Sequence, residues 1–393
     1  MMPLPVFAFT YQTPFDMIQL NHSRISRAQE LMKKEGMMGI MIMNHDDYIY
    51  FFSDLRVQPR AIIPASGPPI LIGFTAEEEE LREQVRNSEI RLFSHIGEQM
   101  SNVREVFKKL YEGPPPGMTH QEHPKVGMQM WFHTPAFLVD LFRKVNKQVE
   151  LVPSDPVMDA LRMIKDGEEI EKMSRAQAIA AVGMDAARDL LRPGITGHEL
   201  ATEITYAMMK AGAEGTSTPI HVNSGKRSCW IHGTVNHDPI REGELVVIDL
   251  TPQFQGYCSN LARTFVMGPP DEVQKRLFDT YLRMYQATAR ELKPGNTVSI
   301  LDKIGKEICT EGGFGDQHIK GISHGIGLRF EENPASTIIP AHSRTIFAKH
   351  MTLTVGHTIL ALPGVGGVRF EDIYRVTDEG GEVLHAYPFD YII

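Results

Sequence analysis

Cysteine is scarce in this sequence, and its few cysteines are poorly placed for bonding to one another. The 393 residues contain three, Cys229, Cys258 and Cys309. They are widely separated, odd in number and form no CxxC pair, which excludes a disulfide framework and a cysteine-rich metal site. We therefore expect a protein of a reducing compartment, the cytoplasm.

Long apolar runs and an excess of basic residues are also missing. No run of about 18 apolar residues is present, so no membrane-spanning segment and no membrane partner are expected. The N-terminus begins without basic residues and contains Pro3, Pro5 and Pro14, which disfavours a signal peptide. Lys and Arg number 40 against 49 Asp and Glu, a net charge of -9. This balance provides no basic patch for a nucleic acid.

The chain is long enough for two domains, each with its own core. Its first third alternates helix-like and strand-like segments, which is typical of an α/β domain. Within it, residues 37–52 are predicted to form a strand, a turn and a second strand. Prolines at positions 153 and 156 mark a junction. We predict domains over residues 1–155 and 156–393.

Two short features of these domains are predicted to be helical. In the first domain, Thr75 and Glu78 have the spacing of a capping box that opens an acidic helix. In the second, residues 190–215 resemble residues 291–315, each beginning Leu-x-Pro-Gly-x-Thr and ending near a glycine. This pattern predicts a Thr-capped helix ended by glycine, used twice, and thus a pseudo-symmetric domain.

Four stretches of the second domain place polar side chains within apolar sequence. They are residues 223–233 with His232, residues 246–265 with Asp249 and Asn260, residues 321–334 with His324, and residues 358–376 with Arg369 and Glu371. The second stretch is predicted to be a hairpin that turns at residues 256–257. Its Asp249 follows an apolar run, where a lone carboxylate is costly unless a cation or a donor meets it.

In combination, these stretches, the sequence KxxxEIEKMSRA at residues 165–176 and the doubled Pro-Gly-Thr helix resemble the pita-bread superfamily. That superfamily includes methionine aminopeptidase, the Xaa-Pro aminopeptidases, prolidase and creatinase. The resemblance implies an α/β (α+β) fold in which a creatinase-like N-terminal α/β domain precedes a pseudo-symmetric pita-bread catalytic domain. It also implies a homodimer.

The resemblance further implies where metal ligands would stand. Peptidases of this superfamily hold two divalent metals with two Asp, one His and two Glu. The corresponding positions here are Asp249, Asn260, His324, Leu362 and Glu371. Two of the five ligands are therefore missing, and two carboxylates do not balance two divalent cations. We expect no cofactor, or alternatively one Mn, Zn or Co ion at Asp249, His324 and Glu371.

Three other positions depart from the family or match it. Glu331 replaces a family histidine of a His-Glu-x-Pro pattern, whereas His232 matches the substrate-facing histidine. Creatinase works without metal through two glutamates, but Ala262 and Leu362 stand at those positions here. Creatine itself is therefore not the expected substrate.

The first functional hypothesis is a metal-independent, creatinase-like hydrolase or lyase acting on a small zwitterion or amide with a C–N bond. His232 would transfer protons, and His324 would be a second acid–base group or a structural remnant. Asp249 or Glu371 would orient the histidine or balance a cationic substrate. Arg369 would pair with Glu371 or bind a substrate carboxylate.

Two alternatives remain open: an Xaa-Pro aminopeptidase or dipeptidase with a weak single-metal site, and a non-catalytic binding protein. Candidate substrate contacts are Glu331, Trp230 and Arg60. Trp230 would wall the pocket or cap a cation, or else pack in the core. Arg60 or Arg56 would reach the partner subunit's pocket across a dimer, or else lie on a solvated surface.

Overall fold

The computed structural model describes residues 21–53, 55, 60–84, 88–113, 118, 123–130 and 134–393. They belong to two compact units, Met1–Leu161 and Arg162–Ile393. The division falls at the end of the helix Asp155–Arg162. Within these residues, no helix is long and apolar enough to cross a membrane.

The first unit is an α/β layer built on one six-stranded sheet. Its helices are α1 (His22–Lys34), α2 (His45–Phe52), α3 (Glu78–Gln84), α4 (Ile96–Glu112), α5 (Ala136–Val145) and α6 (Asp155–Arg162). Its strands are β1 (Met37–Ile42), β2 (Ala61–Pro64), β3 (Ile70–Phe74), β4 (Glu89–Phe93), β5 (Lys125–Met128) and β6 (Glu150–Pro153). The strand order is β4-β3-β2-β1-β5-β6, with β2 antiparallel to its neighbours β1 and β3.

Two local predictions in this unit are wrong. The segment after β1 continues as helix α2 and not as a second strand, because the side chain of Asn44 accepts from the Asp47 amide and starts the helix. At Thr75 the chain first forms a 3₁₀ turn, Thr75–Glu77, whose N-cap residue Phe74 has no side-chain cap. The N-cap position is therefore held by Phe74 and not by Thr75, so the predicted capping box is wrong, although an acidic helix follows.

The second unit packs two helix pairs against short antiparallel sheets. Its helices are α7 (Gly167–Leu190), α8 (Gly197–Lys210), α9 (Glu272–Arg290) and α10 (Val298–Glu311). Its strands are β7 (Gly215–Thr216), β8 (His221–Ser224), β9 (Leu245–Leu250), β10 (Pro252–Phe254), β11 (Tyr257–Cys258), β12 (Leu261–Val266), β13 (Thr352–Val355), β14 (Leu360–Leu362), β15 (Gly366–Val368), β16 (Asp372–Val376) and β17 (Gly381–Val383). Single 3₁₀ turns lie at Gly225–Cys229, Gly315–Gln317 and Pro340–Arg344.

The pseudo-symmetry of this unit is visible in its two apolar clusters. One cluster joins α7, α8 and β9, and the other joins α9, α10 and β13. Each thus packs a helix pair on a strand. Thr196 caps α8 as predicted, through a capping box with Glu199. Thr297 stands at the same position before α10 but makes no cap bond to the backbone, and its hydroxyl lies 2.8 Å from that of Ser299.

The predicted hairpin is present, with a turn one residue earlier than expected. Strands β9 and β12 pair antiparallel in the sheet β12-β9-β8, and all six residues of each are buried. Between them, β10 pairs with β11, and the turn falls at Gln255 and Gly256, which both have positive φ. Strand β9 is therefore the middle strand of this sheet and carries Asp249 near its end.

Candidate active site

Asp249 is a buried carboxylate whose two oxygens both have partners. It lies opposite His221 on β8 and Ala262 on β12, and it is 3% exposed. Its Oδ1 accepts a hydrogen bond from Nδ2 of Asn260 at 2.6 Å, and its Oδ2 lies 2.9 Å from Nη1 of Arg369. These two contacts offset the cost of burying the charge.

Arg369 lies between β15 and β16 and holds two carboxylates together. Besides Asp249, its Nη2 donates to Oε2 of Glu371 and lies 3.5 Å from Nδ1 of His357. Burial disfavours the charged form, but Asp249 and then Glu371 hold the pKa of Arg369 above its ordinary value. The predicted Arg369–Glu371 pair is present, and the same guanidinium also neutralises Asp249.

Glu371 is fixed by its backbone and keeps one free carboxylate oxygen. It exchanges two backbone hydrogen bonds with Ala262, at 2.9 and 3.0 Å, and its side chain is fully buried. Its Oε1 lies 3.4 Å from Nδ1 of His357 and 3.9 Å from Nε2 of His324. Among the residues that the structure describes, this oxygen has no hydrogen-bond partner.

His324 is a fully buried imidazole with a defined orientation. Its Nδ1 lies 2.9 Å from the carbonyl oxygen of Gly325, which can only accept, so Nδ1 carries the proton. Nε2 is then an acceptor, and within the described part of the chain it has no partner. Burial, with His357 nearby, lowers the pKa of His324, which keeps the ring neutral at neutral pH.

His357 is a second buried imidazole that faces two carboxylates. Its Nε2 lies 3.6 Å from Oε1 of Glu331, whose Oε2 accepts from the Thr337 hydroxyl at 2.9 Å. Burial, followed by the guanidinium of Arg369, lowers the pKa of His357 to about 3. One ligand atom from each of His324, Glu331 and His357 lies within 4.8 Å of the other two.

The side chains in mutual contact form a group that we call the histidine–carboxylate cluster: Asp249, Asn260, His324, Glu331, His357, Arg369 and Glu371. His221 borders it, with Nδ1 3.8 Å from Oδ2 of Asp249. Burial lowers the pKa of His221. His232 is exposed, and its ring lies 6.4 Å from that of His221.

The remaining predicted contacts lie elsewhere. Trp230 is 48% exposed and stacks on the guanidinium of Arg227 at 4.7 Å, so the core-packing interpretation is wrong. Arg60 precedes β2 and is partly buried, and Arg56 lies outside the described residues. Their reach into the partner subunit's pocket stays a prediction, as does the role of Trp230 as a wall.

Sequence reasoning missed His357 and His221. His357 stands immediately before the stretch taken from residue 358, within the apolar run TVGHTILAL, and a polar residue there was a usable signal. His221 lies two residues before the stretch taken from residue 223, in a short strand without clear alternation.

Comparison with known proteins identifies the family of both units. Residues 24–164 match the creatinase/prolidase N-terminal domain, and residues 171–378, more than half of the chain, match metallopeptidase family M24. The chain belongs to family M24. The predicted pita-bread fold with a creatinase-like N-terminal domain is therefore confirmed, and so is its assignment to the hydrolases.

Similar proteins cover most of the chain. An Xaa-Pro dipeptidase of Pyrococcus furiosus is 34% identical over 247 residues, 63% of this chain and 70% of its own length. An Xaa-Pro dipeptidase of Pyrococcus horikoshii is 27% identical over 93% of this chain and 98% of its own. The solved Xaa-Pro dipeptidase of Bacillus anthracis has a TM-score of 0.83 at 26% identity, covering 94% of this chain and 99% of its own.

The residues present do not fit the two-metal centre expected of family M24. Of the five positions at which the resemblance places ligands, Asn260 donates to Asp249 through its amide, and Leu362 offers no side-chain donor atom. The guanidinium of Arg369 binds both Asp249 and Glu371. The guanidinium of Arg369 is therefore already the cation between these two carboxylates. Two divalent ions placed there would be repelled by its positive charge.

Proposed function

We propose that the protein hydrolyses the amide bond of short peptides, with Xaa-Pro dipeptides as the substrate class. Family M24 is a metallopeptidase family, and the similar proteins named above are Xaa-Pro dipeptidases. The observation that carries the proposal is the histidine–carboxylate cluster, with the exposed His232 beside it. Amide hydrolysis needs a proton carrier at an accessible position beside a polarising, charged site.

The side chains divide these tasks by exposure. His232 is exposed, so its imidazole can reach a bound substrate and carry protons to and from it. The buried charges of Asp249, Glu371 and Arg369 are fixed by mutual contacts, so they form a preorganised electrostatic surface.

A second candidate is favoured by the contacts of Arg369. Because this guanidinium neutralises Asp249 and Glu371 without a metal, hydrolysis of a small zwitterion or amide with a C–N bond by a metal-independent route is the alternative. His232 would be the acid–base group in that case as well. A homodimer and a cytoplasmic location belong to this proposal and are tested by light scattering after gel filtration and by cell fractionation.

The test is hydrolysis by the purified full chain, measured by mass spectrometry of the released amino acids. Ala-Pro and Leu-Pro are compared with Pro-Ala and Ala-Ala, and with small guanidino and betaine-type zwitterions. Each is assayed after chelator treatment and after addition of Zn²⁺, Mn²⁺ or Co²⁺. Selective cleavage of Xaa-Pro bonds supports the first candidate, and chelator-resistant cleavage of a zwitterion supports the second.

His232 gives the matched variants for this assay. We expect His232→Ala to lower kcat by about 100-fold or more, the usual contribution of general acid–base catalysis. His237→Ala removes another exposed histidine, which stacks on His198 outside the cluster, and leaves kcat unchanged. Equal rates in both variants, or no turnover of any compound by a folded protein, would overturn the proposal.

A further inference from the structure

Three side chains of the histidine–carboxylate cluster have the composition of a site for a single metal ion. We propose that His324, His357 and Glu331 bind one divalent transition metal, zinc in preference to magnesium or calcium. Neither His357 nor Glu331 matches a family ligand position. The inference concerns metal binding and stands whichever substrate class is correct.

The three side chains have the composition and proximity of a catalytic-type zinc site. Two imidazoles and one carboxylate leave a fourth tetrahedral position open for water or substrate. Their ligand atoms already lie within 4.8 Å of one another, with 3.6 Å between Nε2 of His357 and Oε1 of Glu331. Tetrahedral ligands about 2.0–2.1 Å from zinc are about 3.3 Å apart, so small side-chain adjustments suffice.

The unpartnered atoms of the cluster point to a missing ion. Nε2 of His324 is fully buried and, in the described part of the chain, has no hydrogen-bond partner. Leaving a buried acceptor unsatisfied is costly, and such an atom calls for an explanation. A metal on Nε2 supplies the missing partner.

Each ligand side chain also has a neighbouring group that can orient it through its other polar atom, as metal ligands usually do. Nδ1 of His324 donates to the Gly325 carbonyl at 2.9 Å. Nδ1 of His357 lies 3.5 Å from the donor Nη2 of Arg369 and 3.4 Å from Oε1 of Glu371; with Nε2 on the metal, Nδ1 carries the proton and donates to Glu371 instead. Oε2 of Glu331 accepts from Thr337 at 2.9 Å, which leaves Oε1 for the ion.

Charge and surroundings agree with one divalent ion. The formal charges of Asp249, Glu331 and Glu371 are offset in part by Arg369, which leaves two negative charges among neutral imidazoles. One divalent cation cancels them, and two would not. The ring of Phe330 lies 5.2 Å from His324 and 6.5 Å from His357, so an apolar wall borders the ligands.

The contacts also explain why the ion does not sit on the inherited positions. Asp249 has one oxygen bound to Asn260 and the other to Arg369. A metal at the predicted set of Asp249, His324 and Glu371 would displace a guanidinium. Nε2 of His357 and Oε1 of Glu331 instead face each other at 3.6 Å, so an ion between them replaces that contact. The metal is thus displaced towards the β13 end of the cluster.

The experiment measures metal stoichiometry and affinity in the full chain. Metal-free protein is titrated with Co²⁺, whose visible absorption reports tetrahedral nitrogen–oxygen ligation, and then with Zn²⁺ in competition. Elemental mass spectrometry gives the stoichiometry. We expect one ion per chain with a tetrahedral cobalt spectrum. No binding at micromolar metal, or two ions per chain, would overturn the proposal whatever the variants do.

The variants locate the ion. His357→Gln and Glu331→Gln should each raise the Kd for zinc by about 100-fold or more, and Thr337→Val by about 10-fold, the range seen for supporting groups. Asp249→Asn is the matched control for the predicted set of Asp249, His324 and Glu371: it removes a neighbouring negative charge but no ligand, so it should raise the Kd far less than loss of His357 or Glu331 does. Circular dichroism confirms folding of each variant. Tight binding that depends on Asp249 but not on His357 would contradict the new site.

Discussion

At the scale of single residues, the guanidinium of Arg369 decides the electrostatics of the site. It contacts both buried carboxylates of the histidine–carboxylate cluster, Asp249 and Glu371, and is itself 3% exposed. A buried ion pair contributes little net stability, but removing one partner leaves an uncompensated charge in a low dielectric. The stability of this region therefore depends on keeping the whole set.

We expect Arg369→Gln to lower the free energy of unfolding by roughly 3–5 kcal/mol, because two buried carboxylates lose their shared cation. Arg375→Gln is the control, since that arginine pairs with Glu382 at side-chain exposures of 30% and 53%. It should cost at most about 1 kcal/mol. Urea unfolding followed by circular dichroism measures both, and similar losses in the two variants would contradict the argument.

Some residues of the site could be predicted from the sequence, and others could not. Asp249, His324, Arg369 and Glu371 were found because each polar group interrupts an apolar run, and the structure brings all four together. His357 was missed, because its role depends on a chain reversal that places it against Glu331, 26 residues earlier in the numbering. Sequence spacing carries no information about such a contact.

At the scale of elements, the turn after β13 positions His357. Gly356 has φ of +95°, and a Cβ built there would lie 1.8 Å from the carbonyl oxygen of Phe370. Its amide donates to Ile322 at 3.0 Å, and its carbonyl accepts from Tyr281 at 2.6 Å. Because this position has a left-handed backbone conformation and no room for a Cβ, it requires glycine.

We expect Gly356→Ala to destabilise the protein by at least roughly 3 kcal/mol, because strain and a backbone clash add together. Gly364→Ala separates the two effects: φ is +85° there, but nothing lies within 4 Å of the added Cβ. It should cost about 1–2 kcal/mol, from backbone strain alone. Thermal unfolding compares them, and equal shifts in Tm would show that the clash is relieved at no cost.

Element types were predictable where the local pattern and the tertiary contacts agree. The β9–β12 hairpin follows from two apolar runs around a glycine turn, and the start of α8 from its capping box. The segment after β1 failed because aromatic residues at positions 48–52 favour a strand, whereas Asn44 starts a helix. Before α10, Thr297 stands at the same position but makes no capping hydrogen bond, because a cap depends on local geometry as well as on residue type.

At the scale of the whole molecule, the fold could be inferred from the order of its motifs. Its expected response to acid comes from a buried triad of Glu332, Arg162 and Lys165. Glu332 lies 2.5 Å from Nη2 of Arg162 and 2.6 Å from Nζ of Lys165, and it is 6% exposed. Burial opposes its charge, but Lys165 and then Arg162 lower the pKa of Glu332 to about 2. No spacing in the sequence joins residue 332 to residues 162 and 165.

This triad predicts a loss of stability in acid. Because the carboxyl pKa is about 2 in the folded state and 4.5 ordinarily, the unfolded chain binds more protons between these values. The stabilisation is complete above pH 4.5 and disappears as the pH falls towards 2. Glu332→Gln should cost roughly 3–5 kcal/mol at pH 7 and flatten this part of the profile. Urea midpoints from pH 7 to pH 3 measure it.

Glu307→Gln is the matched control, because Glu307 pairs with Lys303 on the surface at exposures of 60% and 76%. Its profile should follow that of the unmodified chain, since an exposed i,i+4 pair contributes about 0.3–0.5 kcal/mol. If Glu332→Gln retained the full acid dependence, other carboxyl groups would have to account for it.

The amide of Asn260 also bears on how the site can change over evolution. It donates to Asp249 at 2.6 Å, so Asn260→Asp would set two carboxylates against each other, and one would have to keep a proton or recruit a cation. Arg369 already occupies the other side of Asp249. Introducing a carboxylate at position 260 alone is therefore unfavourable. It becomes tolerable only together with a change at Arg369, so the two positions are coupled through Asp249.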